Sequence, residues 1–338
     1  ETLSYMTTNW AVAAAIALIF SSSIAIANDI HIYQIGDDVD MDIVQDGENN
    51  KIGSLNNISG QAFIGTYDPS TISYTQRGDN NELGLYNADV GESNVTSVQT
   101  GDNNQAVIDC HGQDCTMSLT QTGSDNTAHL ESGGSYSHIN NDITGTQTGD
   151  NNELHAEVLT GSNNTITAEQ YCTQGSSCVT NDMDVLVSGS TNSVAVVQGR
   201  VYLNSTGTLQ TDSMEPGGLT MDIDITGSNN SLMMSQRNQN ANHAHNIDVD
   251  VSGDYNSVFG TQVGSGNKDI DIDISGDANS ISAVQTGNGS HTATMNLSSP
   301  YGPAYSINLT QSGNTGQSYT MSGICTNPNG CAYTVNQQ

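Results

Sequence analysis

The sequence predicts an all-β fold: a β-solenoid of about a dozen stacked two-strand rungs, cross-β-like, with loop insertions. Three observations predict it. Turn signals of the form Gly-x-x-Asn, or close to it, recur at a near-constant interval: 253–256 (GDYN), 264–267 (GSGN), 276–279 (GDAN) and 287–290 (GNGS). Between them run short segments of strict apolar/polar alternation, the period of a half-buried strand. The composition is the third observation: 338 residues hold 35 Gly but only 3 Phe and 1 Trp, too few aromatics for a compact core of that size. A formal net charge of −31 with so little apolar content would otherwise read as disorder. Repeats escape that outcome because each buries a thin core against its neighbours.

At the N-terminus, Trp10–Phe20 is a short apolar run, followed by Ala25 and Ala27 at the small positions of an A-x-A cleavage site. Residues 1–27 therefore read as a secretory signal peptide, with Met6 a candidate true start. No Lys or Arg precedes the run, and an uncleaved anchor is the alternative. Residues 28–338 read as one solenoid domain, because no linker or shift of composition divides them. Strand pattern starts directly after Ala27 and includes the final CAYTVNQQ, so both solenoid edges are expected to be open.

Two kinds of turn alternate. Gln-x-Gly turns include Gly101, Gly123, Gly149, Gly264 and Gly287; Ser/Thr-Gly turns include Gly161, Gly189, Gly227, Gly253 and Gly276. Glycine permits left-handed backbone, and Asn tolerates it. One turn of each kind makes a flattened rung. At roughly 4.8 Å per rung the body would be roughly 55–60 Å long. Three stretches break the rhythm and read as loops between rungs: 48–75 with Asp68-Pro69, the Gln198 to Gln236 interval with EPGG, and 298–305 with two prolines.

The faces follow from the alternation. Asn164, Asn192, Asn230, Asn256 and Asn279 are each followed, at one fixed spacing, by Gln170, Gln198, Gln236, Gln262 and Gln285. The residues between on the same face are aliphatic or small, so this face points inward, where stacked amides supply each other's hydrogen bonds. Its outer side carries Ala195, Val197, Met233, Phe259 and Val284, either tolerated surface or a lateral contact between fibres. Before the Ser/Thr-Gly turns the inward residues are Val or Ile. The outward ones are Asp222, Asp224, Asp248, Asp250, Asp271 and Asp273, which form two carboxylate columns. These are either a solvated face or a weak, array-like Ca²⁺ site; no cofactor is otherwise required.

Only five Lys and Arg set against 36 Asp and Glu exclude nucleic acid and anionic membranes as natural partners. The six cysteines fall in close pairs, Cys110-Cys115, Cys172-Cys178 and Cys325-Cys331, which read as three local disulfides. A metal site would need four convergent ligands. Disulfides imply an oxidising, extracytoplasmic location. The eight histidines are scattered; His243 and His245 read as an exposed loop pair, with a metal site as alternative. No nucleophile elbow, phosphate loop or HExxH motif is present, so no enzyme is expected.

The Gln-x-Gly-x-x-Asn and Asn-x-aliphatic-x-x-x-Gln spacings resemble the curlin repeat of bacterial curli subunits. The resemblance is closest in Gln99–Ala106 and Gln121–Ala128 and covers most of 30–338, irregularly. It implies a secreted, extracellular solenoid that assembles with itself, head to tail, into amyloid fibres of biofilm. A nucleator and outer-membrane export machinery would be its partners. This chain departs from the family in its length, its cysteines, its inter-rung loops and the Val or Ile before its Ser/Thr-Gly turns. A monomeric acidic binding module (an adhesin, an ice-binding or a Ca²⁺-binding surface protein) is the alternative; flat Thr-x-Thr arrays would support ice binding, and only short pieces such as ITGTQTG are visible in the sequence.

Overall fold

The computed structural model describes residues 28–30, 32–35, 39–53, 62–65, 70–84, 86–88, 93–109, 115–133, 140–158, 161–172, 182–199, 201–203, 209–211, 218, 220–238, 245–298, 304–323, 325 and 327–338. It is an all-β solenoid. Twelve parallel strands stack into one sheet in chain order: β1 (Val39–Asp46), β2 (Ser70–Arg77), β3 (Ser93–Thr100), β4 (Cys115–Thr122), β5 (Asp142–Gly149), β6 (Thr165–Cys172), β7 (Ser193–Gly199), β8 (Ser231–Asn238), β9 (Ser257–Gly264), β10 (Ser280–Thr286), β11 (Tyr305–Gln311) and β12 (Cys331–Gln337). Every neighbouring pair is in one register, which sets Gln on Gln at Gln45, Gln76, Gln99, Gln121, Gln147, Gln170, Gln198, Gln236, Gln262, Gln285, Gln311 and Gln337. A one-residue slip would turn every aliphatic side chain outward, so the alternation fixes this register. The inward aliphatics Ile166, Val194, Leu232, Val258 and Ile281 are all buried, and they join one continuous core with the Val and Ile residues of the opposite wall.

That opposite wall is not a second regular sheet. Short parallel ladders occur at Asp29–Ile30, Lys51–Ile52, Glu82–Leu83 and Gln105–Ala106, and again at His291–Thr294 and Gln317–Thr320. Over 246–251 and 269–274 the sequence alternation predicts strands, and the structure departs from it. There the outward residues have left-handed backbone: Asp248 (φ 68°), Asp250 (φ 42°), Asp271 (φ 45°) and Asp273 (φ 37°). Asp is among the few residues that enter this region, because its short side chain bonds the local backbone. Asp248 Oδ1 accepts the Val249 N–H at 2.9 Å, and Asp222 Oδ1 accepts that of Ile223 at 2.9 Å. The carboxylate columns therefore have a conformational cause.

The turn glycines stack in columns, and their requirement is proximity more than handedness. Gly101, Gly123 and Gly149 form one column, Gly161, Gly189, Gly227, Gly253 and Gly276 a second, and Gly264 and Gly287 a third. A Cβ on Gly253 would lie 2.1 Å from the Gly276 carbonyl oxygen. At Gly227 and Gly253 the left-handed angle expected of the glycine belongs instead to the preceding Thr226 (φ 51°) and Ser252 (φ 60°).

The long interval after Gln198 contains an antiparallel hairpin, Val201–Leu203 with Leu209–Thr211, lying against β7 and β8. Val197, read from the sequence as outward surface, is buried beside Tyr171, Ala195 and Met233. Cys325 and Cys331 form a disulfide. Cys172 is disulfide-bonded. Its expected partner Cys178, together with Cys110 and the side chain of Cys115, lies outside the described residues, as do the signal-peptide segment 1–27, Asp68-Pro69 and residues 215–217 of the EPGG stretch.

Gly123→Ala combines a φ of +120° with a Cβ 2.1 Å from the Gly149 oxygen. It should lower stability by more than the roughly 1–3 kcal/mol of a strained backbone alone. Urea denaturation measures this; an unchanged midpoint would contradict the column geometry.

Candidate functional site

The stacked amides form a continuous buried structure. Each Gln Nε2 donates to the Gln Oε1 of the next strand, from Gln45→Gln76 (2.7 Å) through to Gln311→Gln337 (2.7 Å), with the eleven bonds spanning 2.7–3.2 Å. The second Nε2 proton crosses the core to the opposite wall. Gln121 donates to the Gln105 carbonyl (2.7 Å), Gln262 to Asn246 (2.8 Å) and Gln285 to Asp269 (2.7 Å). One side chain thus joins neighbouring rungs and both walls of its own rung. The ladder is polar, with every donor facing the C-terminal end.

Two Asn columns run beside it with the opposite polarity. Asn50, Asn81, Asn104, Asn126 and Asn152 follow the Gln-x-Gly turns. Each Oδ1 accepts the Nδ2 and N–H of the following rung, as Asn81 Oδ1 does from Asn104 at 3.0 and 3.1 Å. The second column holds Asn141, Asn164, Asn192, Asn230, Asn256 and Asn279. It is gapped: the Nδ2 groups of Asn230 and Asn256 are buried without a hydrogen-bond partner, and only backbone N–H groups continue the ladder there. Tyr305 ends this column. Its N–H donates to Asn279 Oδ1, while its hydroxyl donates to the Gly323 carbonyl and accepts the Cys325 N–H.

Some turn carboxylates have a structural partner. Asp79 Oδ1 accepts the Glu48 N–H and Asp102 Oδ1 that of Asp79, at 2.7 and 2.8 Å. Asp254 and Asp277 repeat the arrangement for Ser228 and Asp254.

The outward Asp residues align as Asp222, Asp248, Asp271 and as Asp224, Asp250, Asp273, the latter lining a shallow groove with Thr226, Ser252 and Ser275. Among the described residues no three His, Cys, Asp or Glu side chains converge as a metal cage. Burial, then the charges of Asp224, Asp184, Asp248 and Asp250, pushes the Asp222 carboxyl up to about 6. Burial first, and neighbouring carboxylates second, also raises Asp224, Asp271 and Asp273.

Three features escape a reading of the sequence. His129 and His155 stack face to face, with centroids 4.6 Å apart, and His155 Nδ1 lies 2.7 Å from Asp184. That bond raises His155, while burial and the charge of His155 lower His129. His245 is not an exposed loop residue: it is 1% exposed, in an inward column with Lys268 and His291. His243 lies outside the described residues. The Lys268 ammonium is buried and donates to the Gly287 and Gly289 carbonyls, both at 3.0 Å; burial brings it down to about 8. Rungs of unequal length hide such columns: Gln147 lies under Gln170, but Gln198 lies under the much more distant Gln236, so neighbours in space have no fixed sequence offset.

Comparison with models of known protein families finds no match, and comparison with curated proteins finds none.

Gln170→Leu leaves Gln147 Nε2 short of one acceptor and Gln198 Oε1 without its donor inside the buried core. A loss of about 2–6 kcal/mol is expected in urea denaturation, at about 1–3 kcal/mol for each of the two unpaired groups; a loss below about 1 kcal/mol would show that the ladder is not structural.

The acidic wall also sets a pH dependence. A carboxyl raised in the fold contributes stability fully below its ordinary value near 3.8 and loses it as pH rises through about 6. Asp222→Asn keeps the Oδ1 acceptor for the Ile223 N–H and removes the charge. The variant should be more stable than wild type at about pH 7 and lose that advantage toward about pH 4. Parallel stability curves across that range would contradict the assigned crowding.

Proposed function

We propose that this chain is the structural subunit of an extracellular, self-assembling, curli-like fibre in which copies add head to tail. The observation that carries the reading is the polarity of the Gln ladder together with the matching of its two ends. At the β1 end, Gln45 Oε1 is buried without a hydrogen-bond partner, beside half-buried Met41 and Ile43. At the β12 end, Tyr333 is 41% exposed beside partly buried Val335 and Gln337. These residues occupy the same three inward columns: Met41 with Tyr333, Ile43 with Val335, and Gln45 with Gln337.

A second copy set on the β12 end would therefore continue the column chemistry. It would accept the Gln337 Nε2 on its own Gln45 Oε1, pair the unpaired strand edge and cover the apolar cross-section. Such a contact is heterologous and does not close, so it propagates as a filament. Strand-to-strand addition at an open edge supplies backbone hydrogen bonds as well. The opposed polarity of the donor rows forbids a head-to-head joint, since two acceptor ends would meet. The curlin-like spacings, the cysteine pairs and the leader-like segment 1–27 support a secreted, surface location. The role is mechanical, with no catalytic step.

Electron microscopy of the purified full chain tests this. Long unbranched filaments are expected, and discrete particles at high concentration in calcium-containing salt would overturn the reading. Gln45→Leu and Gln337→Leu should each slow elongation from wild-type seeds, read by light scattering, while a circular dichroism spectrum like that of wild type shows the rungs intact. Unchanged elongation in both variants would remove the ladder from the joint.

A further inference from the structure

The outer surface of β2–β6 carries an array that irregular spacing hides in the sequence. Register brings four outward columns together: Thr71, Asn94, Thr116, Asp142, Thr165; then Ser73, Thr96, Ser118, Thr144, Thr167; then Thr75, Val98, Thr120, Thr146, Glu169; and last Arg77, Thr100, Thr122, Thr148, Tyr171. Twelve of the 20 positions are Thr and two are Ser. All 20 are exposed or half-exposed. No hydrogen bond within the protein engages any of these 14 hydroxyls among the described residues, whereas hydroxyls elsewhere, such as Thr292 to Ser318 at 2.9 Å, are paired.

The array is regular in two directions. Strands stack about 4.8 Å apart, and alternate residues along a strand lie about 6.6 Å apart. Side-chain ladders such as the one beneath it work against the natural twist of a sheet. Directly beneath these strands run ladder bonds of 2.8–2.9 Å. The patch covers roughly 400 Å² by the same spacings. Beyond β6 the hydroxyls give way to Ala195 and Val197 on β7.

We infer that this face binds the ordered water lattice of an ice surface. Its charge excludes ionic partners: a chain of net charge −31 places only Arg77, Asp142 and Glu169 among the 20 positions, all at the margins. Each Thr offers a hydroxyl to an ordered water and a methyl group between waters. The two repeats lie close to those of oxygen atoms across a prism face of ice. A crystalline polysaccharide is the poorer fit, because sugar rings are held by aromatic platforms and the array has only Tyr171, at its edge and bonded to Glu169. The array lies within one chain, so it does not depend on filament formation.

The test is ice recrystallisation inhibition and crystal shaping by the full chain, measured before and after assembly. Wild type should inhibit growth and facet the crystals. Thr120→Lys with Thr144→Lys, at the centre of the array and outside the ladder, should fall to the level of buffer. Ser118→Tyr is the second variant should the lysine pair fail to fold, as judged by circular dichroism. Asp250→Asn, on the opposite wall, should retain full inhibition. Wild type no better than buffer would overturn the inference, as would full inhibition by a folded array variant, or retention on crystalline cellulose with no effect on ice. Activity without filaments would sink the fibre reading alone; filaments without activity would sink the ice-binding inference alone.

Discussion

The constraint on which the structure depends is that glutamine must lie over glutamine. A buried primary amide has two donor protons and an acceptor to satisfy, and in this thin core a neighbour of the same kind, at the same depth, meets most of the demand. The chain meets it twelve times in register. The Nε2 group then uses both protons, one along the stack and one across to the opposite wall. Aliphatic residues alone could fill this interior, but they would tolerate a shift by two residues, which keeps them facing inward. Amides do not, since an amide slipped along the strand is an unpaired one. The ladder therefore supplies specificity of register, and the Val, Ile, Leu and Met columns supply most of the burial.

From that register follows the treatment of charge. Acidic side chains crowd the outside because several of them have backbone duties. Asp79, Asp102, Asp254 and Asp277 accept turn N–H groups from the preceding rung. Asp248, Asp250, Asp271 and Asp273 occupy left-handed backbone that most residues avoid. The repulsion between stacked carboxylates is then a consequence of backbone geometry, and after burial it is what raises the Asp222 carboxyl to about 6. Cations would be attracted to such a wall without any one residue set being built to hold them.

Much of this is legible in the sequence, and the limits are instructive. The Asn-to-Gln spacing is short and constant, so alternation alone assigns the inward residues from Asn164 to Gln285. The turns mark the rung boundaries because glycine is needed wherever one rung's Cβ would strike the next rung's carbonyl. What alternation does not reveal is backbone handedness: Val249 and Val251 point inward whether the Asp residues between them are extended or left-handed. Nor does it place columns across rungs of unequal length. Thr96 and Thr144 share a column, joined through Ser118, although they are distant in sequence, and His129 meets His155 across a loop of different length again. Val197 is misread for a related reason, since Tyr171 and Met233, which pack beside it, come from neighbouring rungs at unequal sequence distances.

The two halves of the solenoid divide the work. In the first half the Gln-x-Gly-x-x-Asn turn supplies the Asn column, and β2–β6 present a face rich in hydroxyls. In the second half the Asn column moves to the other turn, its amides are partly unpaired at Asn230 and Asn256, and the hairpin and acidic wall occupy the outside. The strand β5 belongs to both, being preceded by Asn141 and followed by Asn152. Only the Gln column crosses the junction unchanged. A translation-symmetric element that survives such a change of module inside one chain is also the element able to survive the change from one chain to the next.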